Sequence, residues 1–380
     1  MIPLLLALTF LYMAVLLFIA AGLHRLKPAA AASERPFISV LVAARNESAH
    51  IAPLLDALSR QDYPGDRYEI LLIDDASGDD TVAQVLTWRR AHPAAPLRLL
   101  HSTGREQVIS PKKHALAQGI AAAQGEILLF TDADCQPLPA WISTMADFFA
   151  PEIGMVIGYS PYELPRPRRL GERLLALESL SLAALAAATT GWGRPATCTG
   201  RNLGYRKAVW REVDGFTRIA HFISGDDDLF LKQVLERTRW RVAYALHAQA
   251  IVPTRLLTSG RAFFRQRLRH ASKGFHYGLK MTSLLATAWL FNLLLAAGAI
   301  SSLGHSPLDL RPWLAWLGKS AVELLLLSRF ARAMQRTQTL TVFPLAEFLH
   351  VFYVILFGAL GPLTRIRWKE NAAPVAAAGA

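Results

Sequence analysis

From Ile2 to Leu23 the chain is almost wholly apolar and carries no charge. About 20 such residues in a helix cross the hydrocarbon core of a bilayer. A cleaved leader peptide needs basic residues before its apolar run, whereas here His24, Arg25 and Lys27 follow it. The pattern predicts a membrane anchor over residues 1–24, N-terminus outside and Arg25 inside, in preference to a leader. An Ala-rich linker, 25–35, comes next. The pattern then changes to short, continuous apolar runs separated by amphipathic stretches. Strands are predicted at Phe37 to Ala43, Glu69 to Asp74, Leu97 to His101 and Glu126 to Thr131. Helices are predicted at Glu47 to Arg60, Asp79 to His92 and Pro111 to Ala123. Buried-type strands alternating with helices of this length imply a parallel, doubly wound sheet.

Beyond Pro151 the alternation loosens. Leu170 to Thr190 reads as an Ala/Leu-rich helix, and Asp226 to Arg237 as another. Ser259 to Lys280 is basic and aromatic, which suits a helix lying on the membrane surface. Long apolar runs return at Ser283 to Leu303, Trp313 to Leu327 and Leu340 to Leu363. The second is short for a span, and the third carries Glu347 and His350, which are costly in lipid. Three spans would also place Arg365, Arg367 and Lys369 outside, against the charge rule. Two to three helices are expected in 281–364, with a polar tail at 365–380.

Composition sharpens this picture. The chain has 380 residues, 52% of them hydrophobic, and a formal charge of +12. Much of the basic excess flanks apolar segments, which suits anionic headgroups rather than a nucleic-acid groove, so no nucleic-acid partner is expected. Two cysteines, Cys135 and Cys198, are too few for a disulfide framework or a zinc site. The middle of the chain is therefore expected in a reducing, cytoplasmic setting.

The chemistry gathers where the predicted strands end. Arg45-Asn46-Glu47 follows the first strand, Asp74-Asp75 closes the second, and Thr131-Asp132-Ala133-Asp134 follows the fourth. Ligands of open parallel sheets bind outside the carboxyl ends of the strands. A crevice with this many carboxylates accepts an anionic ligand only through a hard divalent cation, which takes carboxylate and phosphate oxygens together. An isolated Asp-x-Asp arises often by chance, and Asp74-Asp75 alone reads equally as a helix cap. Three such motifs at successive strand ends are far more specific.

In this order, VLVAARNES, LLIDDASGDD, PKKHALAQGI and LLFTDADCQPLPAWI resemble the nucleotide-sugar half of inverting family 2 glycosyltransferases, which have the GT-A fold. CTGRNLGYRKAVWREVDGF resembles the family's acceptor-side segment, and SGDDDLFLKQV the segment with its catalytic base. QRLRH resembles the Gln-x-x-Arg-Trp motif of membrane-integrated members such as cellulose, hyaluronan and ceramide-glucosyl synthases. Two departures stand out: His270 replaces the usual Trp, and Gly225 stands where many relatives have Glu. The implied fold is a Rossmann-like, mostly parallel α/β domain at 36–258, with the surface segment at 259–280 and membrane helices at both ends.

The resemblance implies a nucleoside-diphosphate-sugar donor, with a UDP-sugar favoured. Asn46, Glu47, Asp74, Asp75, Lys112 and Asp132 would line the donor site. Asp134, with Asp132, would hold Mg²⁺ or Mn²⁺. Gln266, Arg267 and Arg269 would meet the donor pyrophosphate or a uracil-facing loop, with membrane-surface charge the other reading, above all for Arg267. Asp226 aligns with the base that deprotonates the acceptor, with Asp227 as its rival; both otherwise read as a helix cap. Lys112 and Lys113 sit at a helix start, where cations oppose the dipole. Either both are solvated there, or a bound anion holds them. Trp141 reads as core or as a sugar platform, Tyr205 and Trp210 as core, and His221 and Cys198 carry no assignment. Anchoring at both ends favours a lipid or lipid-linked acceptor at the cytoplasmic face of a bacterial inner membrane. The alternatives are a processive polysaccharide synthase, which His270 and the few spans oppose, and a degenerate subunit of an assembly complex, which the intact carboxylates oppose.

Overall fold

The computed structural model describes residues 1–29, 35–163, 169–255 and 279–360. Gln266, Arg267, Arg269 and nearly all of the expected surface segment 259–280 lie outside them, as does the tail 365–380. The chain divides into two compact units. One draws on Met1–Ala14, Leu257–Val322 and Pro344–Ala380, and the other on Val15–Leu256 and Glu323–Phe343.

The second unit is a mixed α/β domain. Its strands are β1 (Ile38–Ala44), β2 (Tyr68–Asp74), β3 (Leu97–His101), β4 (Ile127–Phe130), β5 (Ile153–Ile157), β7 (Leu203–Arg206) and β8 (Arg241–Tyr244). They form one seven-stranded sheet in the order β3-β2-β1-β4-β7-β5-β8. Two further short strands, β6 (Tyr162–Glu163) and β9 (Thr254–Arg255), pair separately. Strands β1 to β4 are mutually parallel, and the mainly apolar β1, β2 and β4 are buried, as strands covered on both faces are. The sheet is mostly parallel, as expected, with β7 running antiparallel to both β4 and β5. The helices α2 (Ile51–Ser59), α3 (Thr81–Ala91) and α4 (Pro111–Ala122) connect the parallel strands. In α2, Ile51, Leu54, Leu55 and Leu58 recur at helical spacing and are all buried. The helix predicted from Glu47 begins only at Ile51, because the backbone N–H groups of Glu47 and Ser48 bond to side chains of the next loop instead.

After β4 come α5 (Trp141–Ala146), α6 (Leu170–Gly191), α7 (Lys207–Glu212) and α8 (Asp228–Arg237). The chain turns outward in both directions from β1, toward β2 and toward β4, so a crevice opens at their carboxyl ends. Register sets Ala44 beside Asp74 and Leu41 beside Phe130, which brings three of the sequence motifs to that edge.

The first unit contains most of α1 (Ile2–Ala21) and of two helices flanking the unit boundary, α10 (Arg311–Ala333) and α11 (Phe343–Leu360), together with α9 (Leu279–Ser302). Leu5, Phe291, Leu295, Ala296, Ala315 and Val351 form its core. Four described helices are long and apolar enough to cross a membrane: those within Ile2–Arg25, Leu170–Gly191, Leu285–Ser302 and Thr337–Leu360. The short span expected at Trp313 to Leu327 lies in α10, which is long enough but is not among these four. Glu347, costly on its own in lipid, accepts from the Lys319 ammonium at 2.6 Å and from the Ser320 hydroxyl at 3.2 Å. Both charged side chains are at least 95% buried, so the pair meets the requirement that buried charge be neutralised in place.

Candidate active site

The loops after β1 and β2 clasp each other. Asn46, in the left-handed region at φ +56°, accepts from Gly78 N–H at 2.8 Å, and its own N–H donates to Ser77 Oγ at 3.1 Å. The Glu47 N–H donates to Thr81 Oγ1 at 2.8 Å, while its carboxylate meets His50 Nδ1 at 2.7 Å. Asp74 is buried and accepts from Ser77 N–H at 3.2 Å. Asp75, also buried, pairs with Arg105, a partner that the sequence reading missed. Asp79 accepts from both the hydroxyl and the N–H of Thr81, which pull its carboxyl down to about 2.

The second cluster links two distant motifs. Lys112 Nζ lies 2.9 Å from Asp132 Oδ1 and 3.2 Å from Asp226 Oδ2. Partial removal from water works against charge on Lys112, but the carboxylates of Asp132 and Asp226 outweigh it and hold the ammonium protonated well above its ordinary range. Burial likewise opposes ionisation of Asp132, and Lys112 and Arg201 overcome it, so the Asp132 carboxyl is lowered. Ala43, Leu116, Phe130, Gly200, Tyr205 and Phe216 complete the walls of a cavity of about 10 Å³ around this pair.

Lys113 behaves differently from its neighbour. It is 3% exposed and donates to the carbonyls of Ile219 and Phe222, while Ser110 Oγ donates to Ile223 O at 2.7 Å. The start of α4 thus fastens the segment leading into Asp226. Lys113 is thus not solvated but bonded to carbonyls, while Lys112 faces the carboxylates of Asp132 and Asp226. Gly225, in place of the relatives' Glu, has φ +99°, and a Cβ there would fall 2.5 Å from Leu229 Cδ1. This turn is therefore closed to a side chain.

The three aspartates are held apart by different donors. Asp227 caps α8, accepting from Asp228 N–H at 2.7 Å and from Gly200 N–H at 3.1 Å. Asp228 accepts from Thr197 Oγ1 and Cys198 N–H, each at 2.9 Å. Burial and the adjacent charges of Asp226 and Asp228 push Asp227 up to about 6. The helix-cap reading thus describes Asp227, while Asp226 faces Lys112. The loop carrying Thr197 to Gly200 is where the sequence reading named a segment but no residue.

Asp134 differs from Asp132. Its carboxylate takes a 3.7 Å contact from the Cys135 thiol, and no ion pair involves it among the described residues. An oxygen ligand with spare lone pairs at the carboxyl end of β4 fits a hard divalent cation. Trp141 is fully buried, its Nε1 donating to Asn202 Oδ1 at 3.0 Å, so it is core and not a sugar platform. Tyr205 is also core, stacked on Phe130 at 4.5 Å between ring centroids.

Residues 39–213 match the sequence profile of glycosyl transferase family 2. A beta-monoglucosyldiacylglycerol synthase of Trichormus variabilis is 39% identical over 101 residues, 27% of this chain and 21% of its own length. Glycosyltransferase AglE of Haloferax volcanii is 26% identical over 205 residues, 54% of this chain and 63% of its own. The chain thus spans about a fifth of the first relative and under two thirds of the second. Among solved structures, the mannosyltransferase PcManGT of Pyrobaculum calidifontis, in complex with GDP-Man and Mn²⁺, superposes with a TM-score of 0.57 at 20% identity, covering 95% of this chain and 98% of that one. The likeness in fold, the matched span and the order of carboxylates along the sheet edge agree, and residues 39–213 are a family 2 glycosyltransferase domain on a GT-A fold.

Proposed function

We propose that the protein transfers a sugar from a nucleoside-diphosphate donor, a UDP-sugar in the first instance, to a lipid or lipid-linked acceptor at the cytoplasmic face of a membrane. The observation that carries this reading is the Lys112 bridge, which ties the donor-side Asp132 to the acceptor-side Asp226 through one ammonium. In this reading Asn46, Glu47, Asp74 and Asp75 border the nucleotide, and Lys112 with Asp132 faces the diphosphate and sugar. Asp134 would hold Mn²⁺ or Mg²⁺, which when bound neutralises charge on the leaving diphosphate.

Asp226 takes the proton of the attacking acceptor hydroxyl, as a carboxylate within hydrogen-bond reach does in general-base catalysis. The Lys112 ammonium, 3.2 Å away, holds that carboxylate on the side of the cavity that also bears Asp132. Asp227, capping α8 and held by Gly200, fixes the backbone from which Asp226 projects. Direct displacement inverts the anomeric centre. A lipid acceptor is supported by the apolar helices at both ends of the chain and by the glycolipid-synthase relative.

The test is release of nucleoside diphosphate by detergent-purified protein from UDP-, GDP- and TDP-sugars with Mn²⁺ or Mg²⁺, with and without total bacterial lipid. Lipid-stimulated release from one donor is expected. Long polymer as product would overturn single transfer, and no release from any donor would overturn the enzyme reading.

A further inference from the structure

The end of α1 docks on the end of α6 with backbones in contact. A Cβ on Gly22 would fall 2.0 Å from the carbonyl oxygen of Ala188, and one on Gly191 would fall 1.8 Å from that of Gly22. No side chain fits at either position. The next residue, Trp192, closes the dock. Its ring stacks on Phe18 at 4.1 Å between centroids, and its Nε1 donates to the Phe18 carbonyl at 2.9 Å. The Arg25 guanidinium lies over the same ring at 4.4 Å, an attraction between cation and ring face.

This dock is joined to the aspartate cluster by a short, tethered piece of chain. Gly193 N–H donates to Thr190 O at 2.8 Å, Arg194 N–H to Thr189 O at 3.2 Å, and Ala196 N–H to Thr189 Oγ1 at 3.0 Å. Thr197, Cys198 and Gly200 follow at once and donate to Asp228 and Asp227. A Cβ on Gly200 would lie 3.4 Å from Asp226 Oδ2, so this loop also borders the proposed base. With 193–196 pinned to the end of α6, a shift of Trp192 has little slack in which to dissipate before it reaches the aspartates.

We propose that Trp192 is a positioning residue which carries the seat of the N-terminal anchor into the acceptor side of the active site, making that anchor part of the catalytic apparatus and not only a tether. The inference rests on reading Asp226 to Asp228 as the acceptor-side cluster. A misplacement of about 1 Å at a reacting centre costs up to about a hundredfold in rate. The donor side, held by the β1, β2 and β4 loops, has its own hydrogen bonds and stays in place.

The experiment uses the full chain in detergent with whichever donor supports release in the test above, and total bacterial lipid. Wild type, Trp192→Ala and Trp192→Phe are compared for nucleoside-diphosphate affinity, donor KM, transfer kcat at saturating lipid and thermal unfolding. Trp192→Ala is expected to lower kcat about tenfold or more, with donor KM and nucleotide affinity within about twofold of wild type. Trp192→Phe keeps an aromatic face for Phe18 and Arg25 while losing the N–H donor and part of the ring area, and it is expected to recover most of the rate. Wild-type transfer with an unchanged Trp192→Ala overturns the inference alone. Loss of nucleotide affinity in step with transfer also overturns it, since that marks general unfolding. Absence of transfer by the wild-type chain overturns the functional reading, and this inference with it.

Discussion

Replacing Lys112 by methionine keeps an unbranched stem of similar reach and removes the charge. The Asp132 and Asp226 oxygens both touch one nitrogen, at 2.9 and 3.2 Å. They are therefore no more than about 6 Å apart, where two unit charges repel by about 3 kcal/mol at an effective dielectric of about 20. The side chains of Lys112 and Asp132 are 43% and 33% exposed, so solvent screening reduces this to about half. What remains amounts to about one pKa unit. The cluster relieves it by binding a proton, and Lys112 is also one of the charges that restrain Asp227 from rising further. A carboxylate that loses a cation titrates higher. Asp227, pushed up to about 6 beside the proposed base, shares this cluster, so the acidic limb of the pH–rate profile is expected to move up in Lys112→Met. The assay is kcat/KM for donor turnover from pH 5 to 9, with nucleotide affinity measured in parallel. A weaker donor contact alone would lower the whole profile without moving the limb. An acidic limb that stays in place refutes the argument that Lys112 governs ionisation of the aspartate cluster.

Three other outcomes follow from the same geometry. Asp228→Asn keeps an acceptor for Thr197 and Cys198 but removes a like charge beside Asp227, so the acidic limb is expected to move down, opposite to Lys112→Met; the same pH series checks this. Chelation of divalent metal is expected to abolish turnover, and Asp134→Ala to remove most of the response to added Mn²⁺ in a titration of activity against metal. Asn202 is fully buried, accepts from Trp141 and donates to the carbonyls of Tyr159 and Ala250 at 2.8 and 2.7 Å. Asn202→Ala leaves the Trp141 indole N–H and the Ala250 carbonyl unpaired, while the Tyr159 carbonyl keeps the Val252 N–H; this costs about 2 kcal/mol or more and is read as a lowered unfolding temperature.

The first four strands and their helices were legible because β1, β2 and β4 are buried along their length and read as mainly apolar runs, with the edge strand β3 a shorter run of the same kind. The carboxylates at their ends were legible because motif order along the chain maps onto position along the sheet edge. Elements set by distant contacts were not. β7 is four residues, Leu203–Arg206, and its antiparallel insertion between β4 and β5 depends on partners far away in sequence. Lys113 reads as a surface residue at a helix start, yet carbonyls more than a hundred positions later bury it. Arg105 has no motif around it, and only the fold brings it to Asp75. Glu347 looked prohibitive in an apolar helix until Lys319, 28 positions earlier, was seen to neutralise it.

Asp226 is the proposed base that faces the acceptor. The most direct measurement is sugar transfer to lipid by wild type and Asp226→Asn, with nucleoside-diphosphate affinity determined on the same preparations. Transfer is expected to fall by about a hundredfold or more in Asp226→Asn, the scale of a lost general base, with nucleotide affinity retained. Transfer within a few-fold of wild type would contradict it and move the base elsewhere in the cluster.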